Sequence, residues 1–334
     1  MQRSVLLAVW LCCALGASGQ AWPLFADETP LELVLRADLA AVQADRNANP
    51  TEHPALLSFV SSTGDTIHQR LEIKARGRFR RDPTVCGFPP LRFDFPNPKS
   101  LPTPFTGQNK LKLVTHCADE TYIFREYYIY KMYSLLSDRS FRVRLAHIQY
   151  IDSSGTYPTE TRYGFFIEPE EQMAARYGDT PIADDVPMQP GDVDQARLTL
   201  VHLFNYMIAN RDFDVQVRQN VKIITHGEDL PIVVPYDFDW AGIVDASYTK
   251  YTDPSKPAYY QRQRFKPICR TAAEFEAAFA VFRAQQDAIF DLYKNSPYLD
   301  KDYIKETLGY LRDFYRTIDN QAKVKEKFLD ACNP

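Results

Sequence analysis

Four aspartates and the amide of Asn220 flank the turn-bearing centre of a single stretch, residues 205–242, NYMIANRDFDVQVRQNVKIITHGEDLPIVVPYDFDWAG. Asp212, Asp214 and Asn220 precede its centre, and Asp237 and Asp239 follow it. These are hard oxygen donors, the ligands that Mg²⁺, Mn²⁺ or Ca²⁺ prefer. Gathered in one place they would repel one another unless cations or water compensated them. The gathering device is also in the sequence. VKII (221–224) and PIVV (231–234) are β-branched runs, and THGEDL between them carries Gly227 and Asp229 as turn residues, which predicts a β-hairpin. A hairpin brings its two ends together, so the expectation is a divalent-metal site at its open end.

The chain has 334 residues, 45% of them hydrophobic, 13% aromatic and 25% charged. That is an ordinary globular composition with enough length for two lobes around a real core. A net charge of −4 argues against a general nucleic-acid binder. Residues 1–21, MQRSVLLAVWLCCALGASGQA, combine basic Arg3, an apolar run and small residues at 17, 19 and 21. These are the marks of a cleaved secretory signal peptide. No later run is long and apolar enough for a membrane span. Cys86, Cys117, Cys269 and Cys332 would then remain in an oxidising compartment. There they suggest the disulfides Cys86–Cys117 and Cys269–Cys332. No C-x₂-C spacing favours zinc instead.

The elements that must position the acidic cluster follow from periodicity. Residues 30–39, 55–61 and 66–81 alternate as antiparallel strands. In the last of these, Lys74, Arg76, Arg78 and Arg80 fall on one face, and Gly77 would let an anion approach closely. The alternative is a charged edge strand that resists aggregation. PPLRFDF and NKLKLVTHC extend the sheet, with Cys86 before the first and Cys117 at the end of the second. DETYIFREYYIYKMYSLLSD is a helix for the sheet to pack on, and FRVRLAHIQYID and TRYGFFIEP are two further strands. A loop near Pro190–Gly191 separates an N-terminal β-rich lobe, 22–190, from a C-terminal lobe, 191–334. In the second lobe, QARLTLVHLFNYMIA is a core helix that leads straight into Asn210-Arg211-Asp212. After the hairpin comes a polar Tyr- and Pro-rich loop from Ser247. A helix capped by Thr271 and Glu274 follows, then another from about Asp300 to Ala331. The fold class is α+β, two-lobed, with the plan of protein kinases. In those the order is helix, loop with an Asp and then an Asn, short hairpin, metal-binding Asp.

RGRFRR, KLKLV followed by FREYYIYKMYSLL, YGFFIEPEE, NRDFDVQVRQN and PYDFDWAG resemble the atypical kinase family typified by the spore-coat CotH proteins. They look more distantly like HipA and lipid kinases. The resemblance covers roughly Leu71 to Gly242, and its last two motifs are the most specific. It implies an exported kinase that uses ATP with Mg²⁺ or Mn²⁺, acting on a hydroxyl of a protein or another acceptor. Asp212 would be the catalytic base, with Asp214 as its rival. Asn220 and Asp237 would hold metal, with Asp239 close by. Lys112, or else Lys110 or Lys74, would hold phosphate and pair with Glu126. Arg76, Gly77 and Arg78 would cradle phosphates, and Glu168 would line the adenine hinge. Two departures stand out. Asn220 lies eight residues after Asp212 and six after Asp214, against about five in protein kinases. There is also no G-x-G-x-x-G loop. Three other readings remain open on the same residues: a nucleotide binder without transfer, an AMP-transferring enzyme, and a Ca²⁺-binding adhesion protein. The last lacks any D-x-D-x-D-G loop.

Overall fold

The computed structural model describes residues 22–102, 104–250 and 263–332. The expected signal peptide lies outside the described residues, as does most of the Tyr- and Pro-rich stretch. The fold is mixed α+β. Seven strands, β1 (Leu31–Ala37), β2 (His53–Val60), β3 (Thr66–Ala75), β4 (Leu91–Asp94), β5 (Lys110–Val114), β6 (Val143–Asp152) and β7 (Glu160–Ile167), close into a barrel in the order β1-β2-β3-β4-β5-β7-β6. All neighbours are antiparallel except β1 and β6, whose parallel pairing from Leu31↔Ala146 to Ala37↔Asp152 seals the barrel. Alternation explains the interior. Ala55, Leu57 and Phe59 of β2 and Leu71, Ile73 and Ala75 of β3 point inward and are buried. Phe93, Phe105 and Phe166 fill the middle.

The basic strip corrects the strand reading of residues 66–81. β3 ends at Ala75, because Gly77 turns at φ +89°, a backbone conformation glycine adopts without a Cβ penalty. Arg76 N–H donates to Pro90 O at 2.8 Å. Lys74, Arg76, Arg78 and Arg80 therefore do not share a strand face. Arg80 instead turns inward and is 7% exposed.

Helix α1 (Leu39–Ala44) covers one part of the barrel. Helix α2 (Thr121–Leu136) lies between the barrel and the C-terminal helices, so it is buried on nearly every side. α3 (Glu170–Ala175) precedes a two-residue strand β8 (Thr180–Pro181). Then come α4 (Gln195–Met207) and the hairpin β9 (Val221–Thr225) and β10 (Ile232–Pro235), with β8 paired on the outer edge of β9. The hairpin register runs from Ile232↔Ile224 to Pro235↔Val221. α5 (Ala272–Ala284) starts on the expected Thr271–Glu274 capping box. α6 (Gln286–Lys294) and α7 (Lys301–Ile318) follow. The helix expected to run to Ala331 stops at Ile318, and Asn320 caps a separate short segment. One apolar cluster fills the barrel. A second runs from α2 through α4 and the hairpin to the C-terminal helices. Among the described residues no helix is long and apolar enough to cross a membrane.

Cys86 is bonded to Cys117 and Cys269 to Cys332, with Cα–Cα distances of 4.6 and 4.9 Å. The second bond closes a sequence separation of 63 residues. Loop-closure entropy gives such a bond about 4 kcal/mol. The double replacement Cys269→Ser with Cys332→Ser is therefore expected to lower the unfolding free energy by about 2–4 kcal/mol. Denaturant titration under non-reducing conditions measures it, and an unchanged midpoint would contradict the expectation.

Candidate functional site

Helix α4 buries an apolar face, and within it Asn205 is fully buried and donates to Val201 O at 2.8 Å. The helix stops because Ala209 adopts φ +56°. Asn210 then becomes the hinge of the loop. Its N–H donates to Asn205 O at 2.7 Å, its Nδ2 donates to Asn205 Oδ1 at 2.8 Å, and its Oδ1 accepts from Asp212 N–H at 3.0 Å. Both amides are buried, so every one of these bonds matters to where Asp212 lies. Sequence reasoning passed over this pair. A polar amide at a core position of the helix, one turn before a second amide, was the signal that could have found it.

Asp212 faces the hairpin base. Asn220 Nδ2 donates to its Oδ2 at 2.8 Å and to its carbonyl at 2.7 Å, and Gln219 Nε2 also bonds its carboxylate. Tyr236 N–H donates to Asn220 O at 3.0 Å, which sets Asp237 opposite. Asn220 and Asp237 both sit in the left-handed region, at φ +50° and +59°, a strain that non-glycine residues hold only where the surroundings enforce it. For Asp237 the enforcement is visible, since its N–H donates to Tyr130 Oη of α2 at 2.8 Å.

A cleft of about 620 Å³ opens here, lined by Asp212, Asn220, Asp237 and Asp239 on one side and Arg76, Gly77 and Arg78 on the other. Eight of the residues singled out in the sequence, Arg80 of the basic strip among them, thus share one cavity. The others do not line it. Asp214 caps its own turn, accepting from Gln216 and Val217 N–H, and is ion-paired to Lys266 at 2.9 Å. Burial pushes its pKa up, but Lys266 and the turn outweigh that and hold it below the usual carboxylate range. Glu168 is 2% exposed and bonded to Arg142 N–H and to the Arg176 guanidinium, at 3.0 and 3.1 Å. Lys110 is exposed and Lys74 pairs with Glu52.

Glu126 departs most from the expectation. Its ion pair is with Arg80, at 3.2 Å, and not with Lys112. The same guanidinium reaches Asp237 at 2.7 Å and Asp239 at 3.2 Å. Tyr248 Oη donates to Asp239 at 3.1 Å. Lys112 lies half-buried with Nζ 5.2 Å from the centre of the Tyr236 ring. Burial and then the neighbouring Arg76 and Lys222 bring its pKa down to about 8. Among the described residues neither Lys112 nor Arg76 has a carboxylate within ion-pair distance.

The carboxylates titrate apart. Burial and then Asp237 raise Asp212. Asp237 is also pushed up by burial, but Arg80, Arg76 and Lys112 more than offset it, so the group stays ionised. Burial lifts Asp239 well above the ordinary range and Glu126 to about 7, in both cases against the pull of Arg80. Groups of like kind driven in opposite directions are what acid–base and ion-binding chemistry uses.

Among the described residues no three His, Cys, Asp or Glu side chains form a ready metal cage. The donors fit a shared ion better. Asn220 spends Nδ2 on Asp212, which leaves its carbonyl oxygen to offer a cation, and Asp237 supplies a carboxylate kept charged. Mg²⁺ or Mn²⁺ is commonly held by one or two protein oxygens while phosphates and water complete the shell.

No protein-family profile matches the chain, and no curated protein matches it. Among solved structures, the crystal structure of a Helicobacter pylori proinflammatory kinase, CtkA, aligns over 82% of this chain and 90% of that one, at 8% identity and a TM-score of 0.37. A likeness that loose says nothing about what this chain does.

Proposed function

We propose that the protein is an exported ATP-dependent phosphotransferase with the plan of an atypical protein kinase. The observation that carries this is the charge arrangement of one cleft. The carboxylates of Asp212 and Asp237 with the Asn220 amide line the cleft together with the cations Arg76 and Arg78 and with Gly77, and the charge of Lys112 is felt at Asp237. Phosphoryl transfer asks a protein for little covalent chemistry and much positioning and charge neutralisation. Bound Mg²⁺ or Mn²⁺ with ATP would supply the transferable phosphoryl group and neutralise its charge.

The chain's own residues would divide the remaining work. Asp237 and Asn220 would hold the metal. Arg76, the amide of Gly77 and Lys112 receive phosphate oxygens. Asp212, its pKa lifted and its carboxylate fixed by Asn220 and Gln219, orients an acceptor hydroxyl and takes its proton. The CotH-like motifs agree with these roles, and the two disulfides are compatible with an oxidising compartment. The interior bonding of Glu168 supports a structural part for it, near the start of α3.

Intact-mass spectrometry after incubation with ATP and Mg²⁺ or Mn²⁺ tests the reading. The expected outcome is a phosphoryl mass increment on the protein or on an added hydroxyl-bearing acceptor. An AMP increment would redirect the reading to nucleotidyl transfer. No increment, together with a nucleotide-dependent rise in melting temperature, would make it a binding module. No increment and no rise would overturn it.

A further inference from the structure

We infer that Arg80, in place of Lys112, is the positioning residue that couples helix α2 to the metal-holding Asp237. This rests on the phosphotransferase reading above. Four observations carry it. One guanidinium, 7% exposed, spans Glu126 on α2 and both Asp237 and Asp239 past β10, at 3.2, 2.7 and 3.2 Å. The forked, planar cation can reach three acceptors at once, which an ammonium cannot do in fixed geometry.

The second observation is on α2 itself. Glu126 and Tyr130 are four residues apart and share a helix face. Glu126 reaches Asp237 through Arg80, and Tyr130 Oη accepts the Asp237 N–H directly. Any shift of α2 must therefore move the Asp237 backbone and carboxylate together.

Third, Arg80 belongs to the loop that contributes Arg76, Gly77 and Arg78 to the cleft. The adjacent Phe79 ring meets Trp240 edge-on, with centroids 5.2 Å apart. Two consecutive residues thus pin the loop to the segment that carries Asp237. Fourth, Glu126 uses only Oε2. Its Oε1 is buried with no hydrogen-bond partner, so no lysine completes the pairing that the kinase plan would place there. Lys112 instead lies over the Tyr236 ring.

The test is a set of double-mutant cycles read by calorimetric binding of Mn²⁺–ATP to the full chain. Arg80→Lys keeps the charge but not the three-way span, and is expected to weaken binding by about 10–100-fold. Glu126→Gln should weaken it further only slightly in the Arg80→Lys background, because both act through one network. Lys112→Met and Glu126→Gln should add independently. Tyr130→Phe, which removes only the acceptor of the Asp237 N–H, should weaken binding with the circular dichroism spectrum unchanged, and it serves if Arg80→Lys folds poorly. Additive effects of Arg80→Lys and Glu126→Gln, with Lys112→Met coupled to Glu126→Gln instead, would overturn the inference alone. Wild-type protein that binds no Mn²⁺–ATP would overturn the phosphotransferase reading beneath it.

Discussion

Asp212→Asn is expected to lower phosphoryl transfer by about 10²–10⁴-fold, the usual contribution of a positioned general base, while nucleotide affinity changes by no more than a few-fold. Asparagine keeps the size and one acceptor oxygen, so the bond from Asn220 Nδ2 to the Oδ2 position can persist, while the exposed Gln219 Nε2, which bonds Oδ1, must turn away. What it removes is the proton acceptor. Asp237→Asn should behave differently, because that carboxylate is the one kept ionised by Arg80, Arg76 and Lys112. Its loss should weaken metal–nucleotide binding and transfer together. Asp214→Asn is the control. Its carboxylate serves a turn and Lys266 and does not line the cleft, so transfer should stay within a few-fold of wild type. Steady-state rates with separate binding measurements decide among them. A large transfer defect in Asp214→Asn with none in Asp212→Asn would reverse the two assignments.

That choice shows where the sequence stops being informative. Asp212 and Asp214 are the same residue type, two positions apart, in one loop. They differ because Lys266, more than fifty residues on, reaches Asp214, and because Asn220 folds back onto Asp212. The hairpin was legible, since β-branched runs around Gly227 encode it locally and a hairpin must join its ends. So was the helix before it, from periodicity. The barrel was not, because its closure is a parallel pairing of Leu31 with Ala146 and their neighbours, with no local signature. Arg80 was hidden by its own regularity. By residue type it continues the alternation of Lys74, Arg76 and Arg78. Only the turn at Gly77, and acids 46 and 157 positions away, draw it inside. Glu126 was seen as a paired acid, but its partner depended on that same turn.

Arg80→Met is expected to lower the unfolding free energy by about 3–5 kcal/mol near pH 7.5, because it strands buried carboxylates that had one shared cation. Methionine has a comparable unbranched stem, so lost packing accounts for little of this. The pH dependence separates the two. Burial already raises Glu126 to about 7 and Asp239 well above the ordinary range while Arg80 holds them down. Without Arg80 both rise further, and Asp237 loses the foremost of the cations that keep it low. A carboxyl whose folded pKa exceeds its unfolded value binds more protons when folded, so stability is full below the unfolded pKa and falls as pH climbs through the folded one. For Glu126 the wild-type fall runs from about 4.5 to about 7, and the variant's runs on beyond it, so the two profiles part above about 7. The deficit of the variant should therefore be smaller near pH 5, where wild-type Glu126 is itself protonated, and should grow as pH climbs past about 7 toward 8. Two histidines pull the other way. Burial lowers His116 and His202 to about 4, so the unfolded chain binds their protons first and stability rises between about pH 4 and 6.5. Both proteins carry those histidines, and subtracting one profile from the other removes their share. Denaturant unfolding of wild type and variant across this range makes the comparison. An equal deficit at pH 5 and pH 8 would mean that Arg80 contributes by packing, and that the three carboxylates find their compensation elsewhere.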